Sequence, residues 1–174
     1  MFEKIKELIK NNSMDDIYLT GVVHIEENGV AEFVANTNFL YFEFGDQFIE
    51  LEAIDGYGRL HITIVDFFKH ENNIEDVTPS RAKIGDVIFT NPIATNEVNS
   101  MVFFNLEIRE NALICDVLHI RLINGQDLFI DPQFMGINIG GIEQKHFWEE
   151  NFVERVLPRV GGYPKETYIK FDNK

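Results

Sequence analysis

The sequence predicts an α+β fold: a mainly antiparallel β-sheet of hairpins and meanders, with an N-terminal helix and a C-terminal helix packed on the sheet. Three observations carry this. Runs rich in β-branched and aromatic residues recur through the middle of the chain, separated by turns such as Asn28-Gly29, Gly45-Asp46 and Asn124-Gly125. Apolar residues fall at helical spacing near the two ends. Repeated strand–helix–strand alternation is missing, which argues against a parallel α/β sheet.

At the N-terminus, Phe2, Ile5, Leu8 and Ile9 line one side of a short amphipathic helix over residues 2–11, and Asn11-Asn12-Ser13 ends it. Residues 17–25 and 30–35 form a hairpin across Asn28-Gly29, read as a type I′ turn. A second hairpin pairs residues 39–44 with 47–54 across Gly45-Asp46. A two-residue loop there sets Phe44 opposite Gln47 and Phe42 opposite Ile49. Asp55-Gly56-Tyr57-Gly58 turns into a strand over 59–67, with Leu60, Ile62 and Ile64 alternating against Arg59, His61 and Thr63. Residues 69–76 read as a polar loop, 79–84 as one helical turn with Pro79 early, and 86–90 as a short strand.

In the second half, residues 101–109 alternate as one strand, and 113–123 read as a long strand that Asn124-Gly125 turns back into 126–131. Pro132 stops that strand, because proline cannot donate to a ladder. Residues 135–139 form a further short strand. From Ile142 the period becomes helical, with Ile142, Trp148, Phe152, Val153 and Val156 on one face and Pro158 and Gly161-Gly162 as breakers. Leu40, Phe42, Gly45 and Phe48 match Ile120, Leu122, Gly125 and Leu128 at a constant offset, a pattern that hairpins share without any duplication.

The chain has 174 residues, which suits a single domain over 1–174. A chain of this size buries roughly 70% of the surface its unfolded form exposes, so it needs neither disulfides nor a structural metal. Lys and Arg number 15 and Asp and Glu 29, for a net charge of −14. That balance argues against nucleic-acid partners and anionic lipid, and for a basic partner or plain solubility. Cys115 is the one cysteine, so no intrachain disulfide forms. The charged start lacks the apolar core of a signal peptide, and no stretch approaches the ~18 apolar residues of a membrane span, so a cytoplasmic protein is expected.

Motifs for catalysis are missing. The five histidines lack the His-Glu-x-x-His spacing of zinc proteases, the serines lack a Gly-x-Ser-x-Gly elbow, and Gly136, Gly140 and Gly141 lack the lysine of a phosphate loop. Cys115 and His119, four apart on a strand, stand roughly 13 Å apart, too far for a dyad. Cys115 then reads as a small buried hydrophobe. No cofactor and no metal are expected. His61 and His119, each beside charged residues, are the pair from which a site assembled across strands would be built.

The second hairpin supplies the candidate site. Its register puts Leu40, Phe42, Phe44, Ile49 and Leu51 on a core face. Tyr41, Glu43, Phe48, Glu50 and Glu52 share the other, an acidic face with two aromatic anchors, expected to be solvated or to meet a partner. In composition the chain resembles bacterial immunity proteins, which are small, acidic and cytoplasmic and carry no catalytic motif. That resemblance implies a non-enzymatic protein that binds and neutralises a basic toxin or enzyme. Two alternatives stand beside it: a small-molecule binding module with an aromatic-lined pocket, and a hydrolase with a His/Asp site assembled across strands.

Overall fold

The computed structural model describes residues 1–56, 58–69, 77–92, 96–132 and 136–171. The antiparallel sheets and the two terminal helical regions are as expected. The chain runs α1 (Phe2–Asn11), β1 (Asp16–Ile25), β2 (Ala31–Ala35), β3 (Phe39–Phe44), β4 (Gln47–Ile54), β5 (Arg59–Val65), β6 (Thr78–Lys83) and α2 (Gly85–Ile88). It continues through β7 (Val98–Phe104), β8 (Glu107–Ile108), β9 (Leu113–Cys115), β10 (Leu118–Leu122), β11 (Asp127–Asp131) and β12 (Asn138–Gly140). It closes with α3 (Ile142–Asn151), a π-helical turn (Phe152–Val156), α4 (Leu157–Val160) and β13 (Glu166–Lys170).

Among the described residues the strands form two sheets. The first has the order β2-β1-β3-β4-β5-β9-β8, with β6 also paired to β1, and the second has the order β12-β11-β10-β7-β13. Tyr18 pairs with Tyr41 on one side and Lys83 on the other, while Gly21 pairs with Ala35 and Ser80. Strands β2 and β3 therefore follow one another along one side of β1, and β6 occupies the other side. Alternation then builds the core. Leu40, Phe42, Ile49, Leu51, Leu60 and Ile62 of the first sheet join Met101, Phe103, Leu118, Ile120, Leu128 and Ile130 of the second in one buried cluster. Ile5, Leu8 and Ile9 of α1 enter the same cluster.

The hairpin registers confirm Phe44 opposite Gln47 and Phe42 opposite Ile49. Gly45, at φ 60°, takes the first central position of the two-residue loop, as a type II′ turn requires. The other two hairpins differ. Only Gly29 and Gly125 have positive φ in their loops, and Gly29 N–H bonds to Glu26 O as Gly125 N–H does to Leu122 O. These are turns closed by a left-handed glycine, and the expected type I′ turn at Asn28-Gly29 is not formed. The shared glycine thus plays a different part in the second hairpin than in the β10–β11 hairpin. Phe48 also lies on an outer face where its counterpart Leu128 is in the core.

Several elements depart from expectation. Residues 79–84 extend as β6, since an edge strand tolerates Pro79, and the helical turn comes later as α2, where a short strand was expected. The run 101–109 splits at Asn105, which takes φ 54°. The run 113–123 splits between Cys115 and Leu118, so each half joins a different sheet. The C-terminal helix changes phase at its π-helical turn. Trp148 and Phe152 are buried against the outer side of the second sheet, with Phe104, Val117 and Phe129, while Ile142, Val153 and Val156 stay exposed. Pro158 does not break the helix, because it falls in the first turn of α4, where a missing N–H costs little; Gly161, left-handed at φ 73°, ends it. The polar loop expected over 69–76 lies, beyond Lys69, outside the described residues. So do Tyr57 of the expected turn and Met135 of the last expected strand.

Candidate functional site

Strands β3 and β4 do bring Tyr41, Glu43, Phe48, Glu50 and Glu52 together on the outer side of the first sheet. The segment after β5 then covers them. The Phe68 ring sits 4.9 Å from Tyr41 and 4.4 Å from Phe48, and Arg81 of β6 lies 4.8 Å above the Phe68 ring. Tyr41 and Glu50 are fully buried. Lys69 Nζ approaches Glu50 Oε1 at 2.7 Å and Glu52 Oε2 at 3.5 Å, and the Lys69 backbone N–H donates to Tyr41 Oη at 3.2 Å. Tyr18 Oη donates to Glu43 Oε2 at 2.9 Å, and His61 Nδ1 lies 3.6 Å from Glu52.

The expectation of an open acidic wall is therefore corrected at this face. Lys69 meets Glu50 and Glu52, because a carboxylate taken out of water at Glu50 demands a cation, and the Tyr18 hydroxyl meets Glu43. Burial, and then the Glu50 charge, push the Tyr41 hydroxyl well above its ordinary pKa. Burial works against the Lys69 charge, yet the Glu50 hydrogen bond and charge outweigh it and hold its pKa above the usual lysine value.

A different acidic surface remains open. From His24 to Val34 every residue is exposed, so the end of β1, its turn and β2 form an arm. Ile25 is 65% and Val30 57% exposed, and Phe33 and Val34 join them at the surface. Glu26, Glu27 and Glu32 stand among these apolar side chains, and no ion pair reaches them among the described residues. Gly21 lets the arm lie close. A Cβ there would meet Val34 O, and the Phe33 ring at 2.9 Å. The signal for this surface is present in the sequence: residues 11–58 hold ten Asp and Glu and no Lys or Arg. Reading alternation strand by strand passes over it.

A cleft of about 300 Å³ opens beside the π-helical turn. Asp116, Asp131, Trp148, Asn151, Phe152 and Arg155 are among the residues that line it. Asp131 is fully buried and accepts from Gln144 Nε2 at 3.3 Å. Asp116 is held by Arg59 Nε at 3.3 Å and Asn105 Nδ2 at 2.6 Å, and burial raises its pKa despite them. A π-helical turn is rare and frequently accompanies a functional site.

The two histidines do not converge. His61 projects from the outer side of the first sheet, beside Glu52. His119 projects from the outer side of the second, 2.7 Å from Asp127, which Arg121 also holds at 2.9 Å. Cys115 is fully buried, and burial pushes its thiol pKa far up. Among the described residues no group of three or more His, Cys, Asp and Glu is placed to hold a metal ion, and no helix is long and apolar enough to cross a membrane. Comparison of the chain with protein-family models, with curated proteins and with solved structures found no significant match.

Proposed function

We propose that this chain is a non-enzymatic acidic interaction protein that binds a basic protein partner, and that the β1–β2 arm is its docking surface. One observation carries the reading: Ile25, Val30, Phe33 and Val34 are exposed beside Glu26, Glu27 and Glu32, which no Lys or Arg among the described residues pairs. The negative field of the molecule attracts a cationic surface and raises the encounter rate. The apolar side chains then supply the contact that persists once the partners meet. A toxin enzyme with a cationic substrate cleft is a partner of this kind, in keeping with the compositional resemblance to immunity proteins. The test is binding of the full chain to poly-lysine and to poly-glutamate at low and high salt. Poly-lysine binding that weakens at least about tenfold between about 50 and 500 mM salt supports the reading. Equal binding of both polymers, or no salt dependence, contradicts it.

The cleft beside the π-helical turn favours a second reading, a small-molecule binding module. Its aromatic wall and its Asp and Arg side chains combine apolar area with a few polar groups, as ligand sites do. Trp148 is the one tryptophan in the sequence, so its fluorescence reports on this wall alone. A compound library that shifts that emission saturably in the wild type, and not in Asp116→Asn, supports this reading; an unchanged spectrum throughout contradicts it.

A further inference from the structure

We propose that the basic partner docks by adding an extended segment to the outer edge of β2, as a further strand of the first sheet. This rests on the reading of the arm as a docking surface and specifies how the contact is made. Strand β4 pairs with β3 up to Phe39 opposite Glu52, and Ala53 N–H donates to Asn38 O. Beyond Ile54 the chain turns at Asp55-Gly56 and returns as β5 from Arg59. Next to β2, the row that β4 fills beside β3 therefore has no strand among the described residues.

The other edges of the sheet are guarded in ways that β2 is not. Edge strand β6 carries Pro79, Arg81 and Lys83, and β8 is only two residues long. Prolines, cations and short length are the usual means by which proteins keep a sheet edge from pairing. Strand β2 reads Ala31-Glu32-Phe33-Val34-Ala35, with no lysine, proline or glycine and with both faces exposed at residues 31–34. Such an edge offers main-chain hydrogen bonds to an incoming strand, and its side chains choose which strand.

Charge decides the occupant. Glu32 and Val34 lie on one face of β2, with Phe33 between them on the other, and Glu26 and Glu27 flank the strand end. A segment with Lys or Arg opposite Glu32, and apolar residues opposite Phe33 and Val34, meets all of these at once. A second copy of this chain meets them poorly. It brings a further −14 of net charge, and its own residues 11–58 hold no Lys or Arg to set against Glu32.

The experiment is amide hydrogen exchange on the full chain with a short synthetic peptide of alternating lysine and valine. Two control peptides carry glutamate in place of lysine, or a proline at the centre. The proposal expects exchange at Ala31–Ala35 to slow at least about tenfold with the Lys–Val peptide and to stay unchanged with either control. It also expects Glu32→Lys to weaken Lys–Val binding about fivefold or more. Binding of the Lys–Val peptide without protection of β2 overturns strand addition but leaves the acidic docking surface standing. Failure of every basic peptide to bind overturns both. Protection of β2 that grows with protein concentration in the absence of peptide overturns the proposal in favour of a second copy.

Discussion

Glu50 sits on the outer side of a sheet, where a carboxylate ordinarily meets water, yet it is fully buried and faces Lys69 Nζ at 2.7 Å. Removing the cation leaves a buried charge with only hydroxyl partners, Thr63 Oγ1 at 3.4 Å among them, a costly way to break such a pair. Lys69 is itself half exposed, so the cost falls below that of a fully buried pair. Lys69→Met is expected to lose about 2–3 kcal/mol of stability, and Lys69→Met with Glu50→Gln to recover most of it. Chemical denaturation of the wild type, both single variants and the double variant checks this cycle. Period-two alternation in residues 39–54 made the register of this face legible. Its cover was not legible, because Phe68 and Lys69 come from the segment after β5 and alternation within a hairpin carries no information about what crosses it.

Asp127 is a paired carboxylate on the outer side of the second sheet. Burial works to raise its pKa, but the hydrogen bonds from Arg121 and His119 prevail and hold it below the ordinary carboxylate value. A depressed carboxylate adds stability that is complete above its unfolded pKa, roughly 4, and is lost as the pH falls through the folded value. Asp127→Asn is expected to cost about 1 kcal/mol at neutral pH and to flatten the loss of stability below about pH 4. Thermal unfolding of both proteins across that range is the check; parallel curves contradict it.

At the scale of elements, the chain crosses between the sheets at two places that lie side by side. It leaves β7 for β8 at Asn105 and leaves β9 for β10 at Asp116-Val117. Asn105 clips the crossings together: its Nδ2 donates to Asp116 Oδ2 at 2.6 Å, and its Oδ1 accepts from Lys165 N at 2.8 Å. Its φ of 54° suits asparagine better than any residue but glycine. Asn105→Ala is expected to lose about 2–3 kcal/mol, from two hydrogen bonds and a strained backbone, and Asn105→Gly less, since glycine keeps the conformation. Equilibrium unfolding of the two variants ranks them. The crossing had a sign in the sequence. Leu113 and Cys115 are odd-numbered core residues, while Leu118, Ile120 and Leu122 are even-numbered. A single strand cannot send both sets inward, so the phase change marks the break that a reading of one long strand missed. The π-helical turn has the same origin, since a shift of helical phase at Phe152 leaves Val153 and Val156 exposed where uniform periodicity would bury them.

At the scale of the molecule, net charge proves a coarse guide and its distribution a finer one. A value of −14 was legible at once. Where that charge stays unmet depends on tertiary placement. Lys69 and Lys83 come back to Glu50, Glu52 and Asp16, and no cation comes to the arm among the described residues. The most direct measurement compares salt-dependent association of poly-lysine with three full-length proteins: wild type, Glu26→Gln/Glu27→Gln/Glu32→Gln, and Glu43→Gln/Glu52→Gln. The arm variant is predicted to lose at least about tenfold in low-salt affinity and most of its salt dependence, while the variant at the covered face stays within about twofold of wild type. The reverse ranking, or equal losses in the two variants, would contradict the placement of the docking surface on the β1–β2 arm.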